Sequence, residues 1–125
     1  MRVARGVVVI AGILVPYLAR LLPGGGGVGP YVQQGLSAVL FLEVFNVIAW
    51  GSIVACSVLY RHPAALLPPA LLGFGYVGWG HYVLDLSANA QAGGAIVLIP
   101  VYALPFIAVG GGGGYFLDRW WREEA

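Results

Sequence analysis

Residues 36–60 read LSAVLFLEVFNVIAWGSIVACSVLY. A hydrocarbon core of about 30 Å is crossed by roughly 20 apolar helical residues at about 1.5 Å each, and this run exceeds that with a single acid, Glu43, inside it. It is read as a membrane-crossing helix, and the rest of the chain is read outward from it. The 125 residues are 60% hydrophobic and 9% charged, with a mean hydropathy of +0.88. Soluble domains carry about 25% charged residues, so a water-soluble monomer is excluded as an expectation. A formal net charge of +1 with no dense basic cluster argues against nucleic-acid binding. The single cysteine, Cys56, has no partner for an internal disulfide or a thiolate metal cage.

Three further stretches fit a span. The first covers about residues 3–22, with Arg2 and Arg5 at its start and Arg20 near its end, where a long stem reaches back to the headgroups. MRVAR before GVVVIAGILV also resembles a secretory leader, but no A-x-A-like cleavage site follows, so it is read as a retained helix. The linker of Pro23, Gly24 to Gly27, Gly29 and Pro30 is expected to hold no helix. The third span is placed at 69–86, opening on Pro68 and Pro69, because proline lacks only an N–H that the first turn leaves unused. The polar bend DLSANAQ, residues 85–91, leads to a fourth span at 92–117, with Ser87 or Asn89 capping its first turn.

The expected fold is a single all-α transmembrane domain over residues 1–125, a bundle of four helices. Arg2, Arg5, Arg61, Arg119 and Arg122 then fall on one side and Arg20 alone on the other, which makes both termini cytoplasmic by the positive-inside rule. Tyr60, Tyr115 and Phe116 gather at the same ends, and Arg119, Trp120, Trp121 and Arg122 form the interface anchor of the last helix. Pro100 and Pro105 withhold donors from the Ile96 and Val101 carbonyls, so a kink is expected in the fourth helix. The run Gly110 to Gly114 signals either tight packing or local unwinding. The halves differ in polar content and proline positions, which speaks against an inverted-repeat transporter within one chain.

Ionisable groups within spans are the first functional candidates, because hydrocarbon disfavours them by roughly 2.5 to 3.5 kcal/mol on insertion scales. Glu43 and His81 fall about 10 Å and 7 Å from the outer surface at the helical rise. His81 and Asp85 are spaced i, i+4, and Glu43 and Asn46 i, i+3, so each pair shares a face. Facing one another, Glu43, Asn46, His81 and Asp85 form one polar cluster. Such a cluster serves as interhelical glue or, alternatively, handles protons or cations. No metal is expected, since the set lacks the second histidine of an iron facial triad. No haem is expected either, as His62 lies at the opposite end.

Gly73-Phe74-Gly75-Tyr76-Val77-Gly78 matches G-x-G-x-x-G but follows no strand. With Gly80 it is read as a smooth helix-packing face rather than a nucleotide site. Ser37, Ser52, Ser57 and Ser87 lack a nucleophile elbow, and apolar neighbours surround Cys56, so no enzyme is expected. The sequence reading is a multi-pass cell-membrane protein, of the inner membrane if bacterial, without cofactor. It acts by helix association, as a homo-oligomer or as an accessory subunit of a larger complex. Its partners are the lipid bilayer and other membrane subunits or itself. The alternative is an oligomeric proton or cation channel, or a proton-coupled transporter, built on Glu43 and His81.

Overall fold

The computed structural model describes residues 1–33, 35–84 and 92–124. Among them every regular element is helical: α1 (Arg2–Leu21), α2 (Gly29–Val32), α3 (Leu36–Cys56), α4 (Leu67–Val83) and α5 (Ala92–Glu124). Two 3₁₀ turns, Ser57–Leu59 and Pro63–Leu66, join α3 to α4. Three stretches are long and apolar enough to cross a membrane: Arg2–Leu21, Leu36–Leu59 and Gly94–Glu124. The 17-residue α4 is shorter, about 26 Å at the helical rise.

Several helix bounds differ from the sequence reading, and the helix of the third span, α4, stops at Val83, short of residue 86, with Leu84 already extended. The linker does contain a helix, the single turn α2, because Pro30 sits in its first turn, where a missing N–H costs nothing. Helix α4 begins at Leu67, before Pro68 and Pro69, which occupy its first turn. Helix α5 runs on from residue 117 to Glu124, since Asp118 pairs with Arg122 and Arg119 with Glu123 at i, i+4 and carries the last turns past the apolar run. It also continues as helix through Pro100, Pro105 and all five glycines. The glycine run therefore marks tight packing rather than unwinding.

That packing can be followed along the seams. A Cβ added to Gly110 would lie 2.5 Å from the Pro69 Cα, and one at Gly73 would lie 2.6 Å from the Ile107 side chain. Ile99 stands against Gly80, and Gly114 against the Ala65 carbonyl. Partners thus advance along α5 as they retreat along α4, so the two helices are antiparallel. Helices α1 and α3 are antiparallel as well, since Asn46 reaches Gly12 while Arg5 reaches Ser57. Between α1 and α4 the order is parallel: Gly78 faces Val15 and Ala19, and Arg20 meets His81 and Leu84. The shared core contains Ala49, Ile53, Val77, Ala103 and Ile107. Large apolar side chains such as Val3, Val44, Leu71 and Val109 point outward and lie exposed. A surface of this kind suits lipid, whose tails cover it without cost.

Candidate functional site

Arg20 is the centre of one end of the molecule. It lies in the last turn of α1 and is only 3% exposed. Its Nε donates to the Gly27 carbonyl at 2.6 Å, and its Nη1 donates to the carbonyls of His81 at 3.1 Å and Leu84 at 2.7 Å. Those two carbonyls belong to the end of α4, where a helix leaves its last acceptors unpaired and presents negative partial charge. The expectation that Arg20 reaches back to the headgroups is therefore corrected. The glycine linker folds over the guanidinium and supplies an acceptor, and α4 supplies the others. Gly24, Gly26 and Gly27 adopt positive φ in this return, the left-handed region that glycine enters freely.

The Tyr31 ring lies under the guanidinium, 4.8 Å from the Arg20 Cζ, a cation–π distance. Its hydroxyl is hydrogen-bonded to His81 Nδ1 at 2.5 Å, and both residues are buried. Burial pushes the Tyr31 phenol up to about 12 against the opposing pull of Arg20, so it stays neutral around pH 7. On its other side Tyr31 meets the edge of Tyr17, with ring centroids 6.1 Å apart. Tyr17 in turn neighbours Glu43. A string of polar side chains thus runs from α3 through α1 and α2 to α4, and two tyrosines lie between Glu43 and His81.

Asn46 has a role that its spacing from Glu43 does not suggest. Its Nδ2 donates to the Gly12 carbonyl at 2.6 Å. Pro16 lies four residues after Gly12 and has no N–H to offer that carbonyl, so α3 supplies the missing donor from outside the helix. Both Glu43 carboxylate oxygens are buried and have no hydrogen-bond partner among the described residues, although Asn46 and Tyr17 are adjacent. Asp85, the fourth member of the expected cluster, lies outside the described residues, as do Ser87 and Asn89.

The glycine face of α4 is divided among its surroundings. Gly73 and Gly80 face Ile107 and Ile99 of α5, Gly78 faces Val15 of α1, and Gly75 opens onto free space. At the opposite end of the molecule, Arg5 Nε donates to Ser57 Oγ at 2.7 Å. The buried Asp118 Oδ1 accepts from the backbone N–H groups of Arg61 at 3.0 Å and His62 at 2.7 Å. Arg122 lies 3.0 Å from the other oxygen. Of the interface anchors, Arg119 pairs with Glu123 at 2.9 Å, Trp120 is exposed, and Trp121 lies 4.8 Å from the His62 ring. Tyr60 donates to the Gly111 carbonyl at 2.7 Å, closing the turn after α3 onto α5.

Sequence reasoning passed over Tyr17, Tyr31 and Asp118. An acid between the apolar run and the first terminal arginine is a signal for Asp118, and Pro16 opposite a polar residue of the next span is one for Asn46. Nothing local marks the tyrosines. Among the described residues no three His, Cys, Asp or Glu side chains converge as a metal site would require. Comparison with protein-family models, curated proteins and solved structures finds no match, so the functional reading rests on this chain's own residues.

Proposed function

We propose that the chain is a four-pass membrane protein that works by association within the bilayer, as a homo-oligomer or as an accessory subunit, and not as an enzyme. The observation that carries this reading is the use made of its buried polar groups. Arg20, Asn46, Tyr60 and Asp118 each bond to backbone groups of another segment. They stitch a compact helical unit whose outer surface is apolar on every long helix. Among the described residues the connections between helices are short, so little of this stretch lies outside them. The rival path for protons or cations through Glu43 and His81 has less behind it, because His81 is bonded to Tyr31 and its carbonyl is held by Arg20.

The test is a copy-number measurement in the native membrane. With the chain fluorescently labelled at its natural abundance and extracted in lipid nanodiscs, stepwise photobleaching should count two or more copies per particle, or native mass spectrometry should find a second membrane protein in fixed stoichiometry. Solitary single copies throughout would overturn the reading.

In the same proposal α4 crosses with the longer helices, and the N and C termini share the cytoplasmic side of a cell membrane, the inner one in a bacterium. Support comes from the arginines: Arg5 and Arg122 lie at the end opposite Arg20, and the positive-inside rule makes that end cytoplasmic. In a Cys56→Ser background, an impermeant thiol reagent should reach cysteines placed at Gly26 and at Glu124 only from opposite sides. Labelling of both from one side refutes the four-pass orientation.

A further inference from the structure

The fold answers some of its arginines and leaves others open. Arg20 bonds to backbone carbonyls, Arg119 pairs with Glu123, and Arg122 lies against Asp118. Arg2 and Arg5 are exposed, and among the described residues neither is paired with a carboxylate. Their i, i+3 spacing at the start of α1 brings both to one face, with Cβ atoms about 5 to 6 Å apart. Arg5 is nevertheless held in place. Its Nε donates to Ser57 Oγ at 2.7 Å, and that hydroxyl, 1% exposed, donates in turn to the Val54 carbonyl at 2.5 Å. A guanidinium anchored through Nε presents its two Nη groups as a fork, a shape that matches two oxygens of a phosphate.

We propose that Arg2 and Arg5, the second anchored by Ser57, bind the phosphate of an anionic phospholipid at the flank of the seam between α1 and α3. The sign of the ligand follows from two neighbouring cations without an acid of their own. Its lipid character follows from the surface that leads to them. Val47, Gly51, Val54 and Val58 recur at intervals of four, three and four residues, one stripe along α3 and the turn after it that ends beside Ser57. Val58 is 76% exposed and Val47 43%. A Cβ added to Gly51 would meet within 4 Å only the Val47 side chain of the same helix, so no other helix covers the stripe there. Gly51 between the valines leaves a shallow trough for an acyl chain, running from membrane depth to the arginines. Because α1 and α3 are long and apolar enough to cross a membrane, the fork at their paired ends lies at headgroup level. A free phosphate would use the fork alone, whereas a phospholipid uses the fork and the trough together.

This site lies within one chain, so it goes beyond the association reading without depending on it. The full chain in nonionic detergent is titrated with dioleoyl phosphatidylglycerol and, separately, with dioleoyl phosphatidylcholine, and native mass spectrometry counts the lipids retained. One phosphatidylglycerol per chain should be held in preference to phosphatidylcholine, and the preference should fall about fivefold in each of Arg2→Gln and Arg5→Gln. Arg5→Lys and Ser57→Ala keep every charge and should still lose severalfold, because the fork or its anchor is gone. Gly51→Leu, which fills the trough, should weaken retention of both lipids. Arg119→Gln, whose arginine is engaged with Glu123, should change nothing. Equal retention of the two lipids overturns the proposal, as does an undiminished preference in the double variant of Arg2→Gln and Arg5→Gln. An unchanged preference in both Arg5→Lys and Ser57→Ala, or an equal loss in Arg119→Gln, would mean diffuse attraction between charges. Displacement by millimolar inorganic phosphate would mean a free-anion site, and each of these results also overturns it. Should Ser57→Ala fail to fold, Arg2→Gln and Arg5→Lys, both at exposed positions, decide.

Discussion

Gly114→Ala should open the seam between α5 and the 3₁₀ turn that leads into α4, while Gly112→Ala, two residues away, should leave the protein as stable as before or slightly more so. The contrast comes from what a methyl group would meet. At Gly114 it runs into the Ala65 carbonyl oxygen and lies 2.7 Å from the Tyr60 hydroxyl, and at Gly112 it meets nothing within 4 Å. Backbone carbonyls cannot step aside as a flexible side chain can, so α5 must retreat as a unit. Retreat would also strain the Tyr60 bond to the Gly111 carbonyl. Overpacking of this sort costs about 1 to 3 kcal/mol at one site. Adding Gly110→Ala, which presses on the Pro69 backbone, should take the double variant to the upper end of that range or beyond. The exposed Gly112→Ala has only the helix propensity to gain, about 0.8 to 1 kcal/mol measured in water. Reversible unfolding in mixed detergent reads both. Equal stability of the 112 and 114 variants would mean that this seam does not hold the fold.

These two glycines also show where the sequence stops being legible. The existence of helices at residues 3–22, 36–60 and 92–117 follows from long apolar runs, a signal read at each position independently of the others. What a glycine faces is not local: identical residues in one run differ because Gly114 meets Tyr60 and the 3₁₀ turn before α4, and Gly112 meets nothing. The same holds for Asn46. Its spacing from Glu43 places the two on one face, yet its donor goes to a carbonyl that Pro16 frees on another helix. The linker illustrates a third limit, since Pro30 and the glycines read as a break while the chain uses them for a single helical turn and a tight return. That Glu43 and His81 lie within helices is readable from the apolar runs. Whether they meet depended on Tyr17 and Tyr31, whose places are fixed only when α2 folds back over α1.

Arg20→Met should unfasten the end of the molecule that this return closes. The substitution keeps an unbranched stem of similar reach and removes the guanidinium, leaving the carbonyls of Gly27, His81 and Leu84 without their donor. A buried polar group stripped of its partner costs about 1 to 3 kcal/mol. With several acceptors stranded, a loss of about 3 to 5 kcal/mol is expected, comparable to breaking a buried charged pair. Arg20→Lys should recover less than half of it. An ammonium group is a point charge on a single stem, whereas the guanidinium donates from Nε toward the linker and from Nη1 toward α4 at the same time. Tyr31 would also lose the planar cation above its ring. Because the linker is held partly through Gly27, limited proteolysis should cut near Gly26 in Arg20→Met well before global unfolding, and much later in the wild type. The control is Arg61→Met, which removes an exposed arginine whose backbone, not its side chain, bonds to Asp118. Equal proteolysis and unfolding of the Arg20 and Arg61 variants would show that this end of the molecule is fastened by something other than this cation.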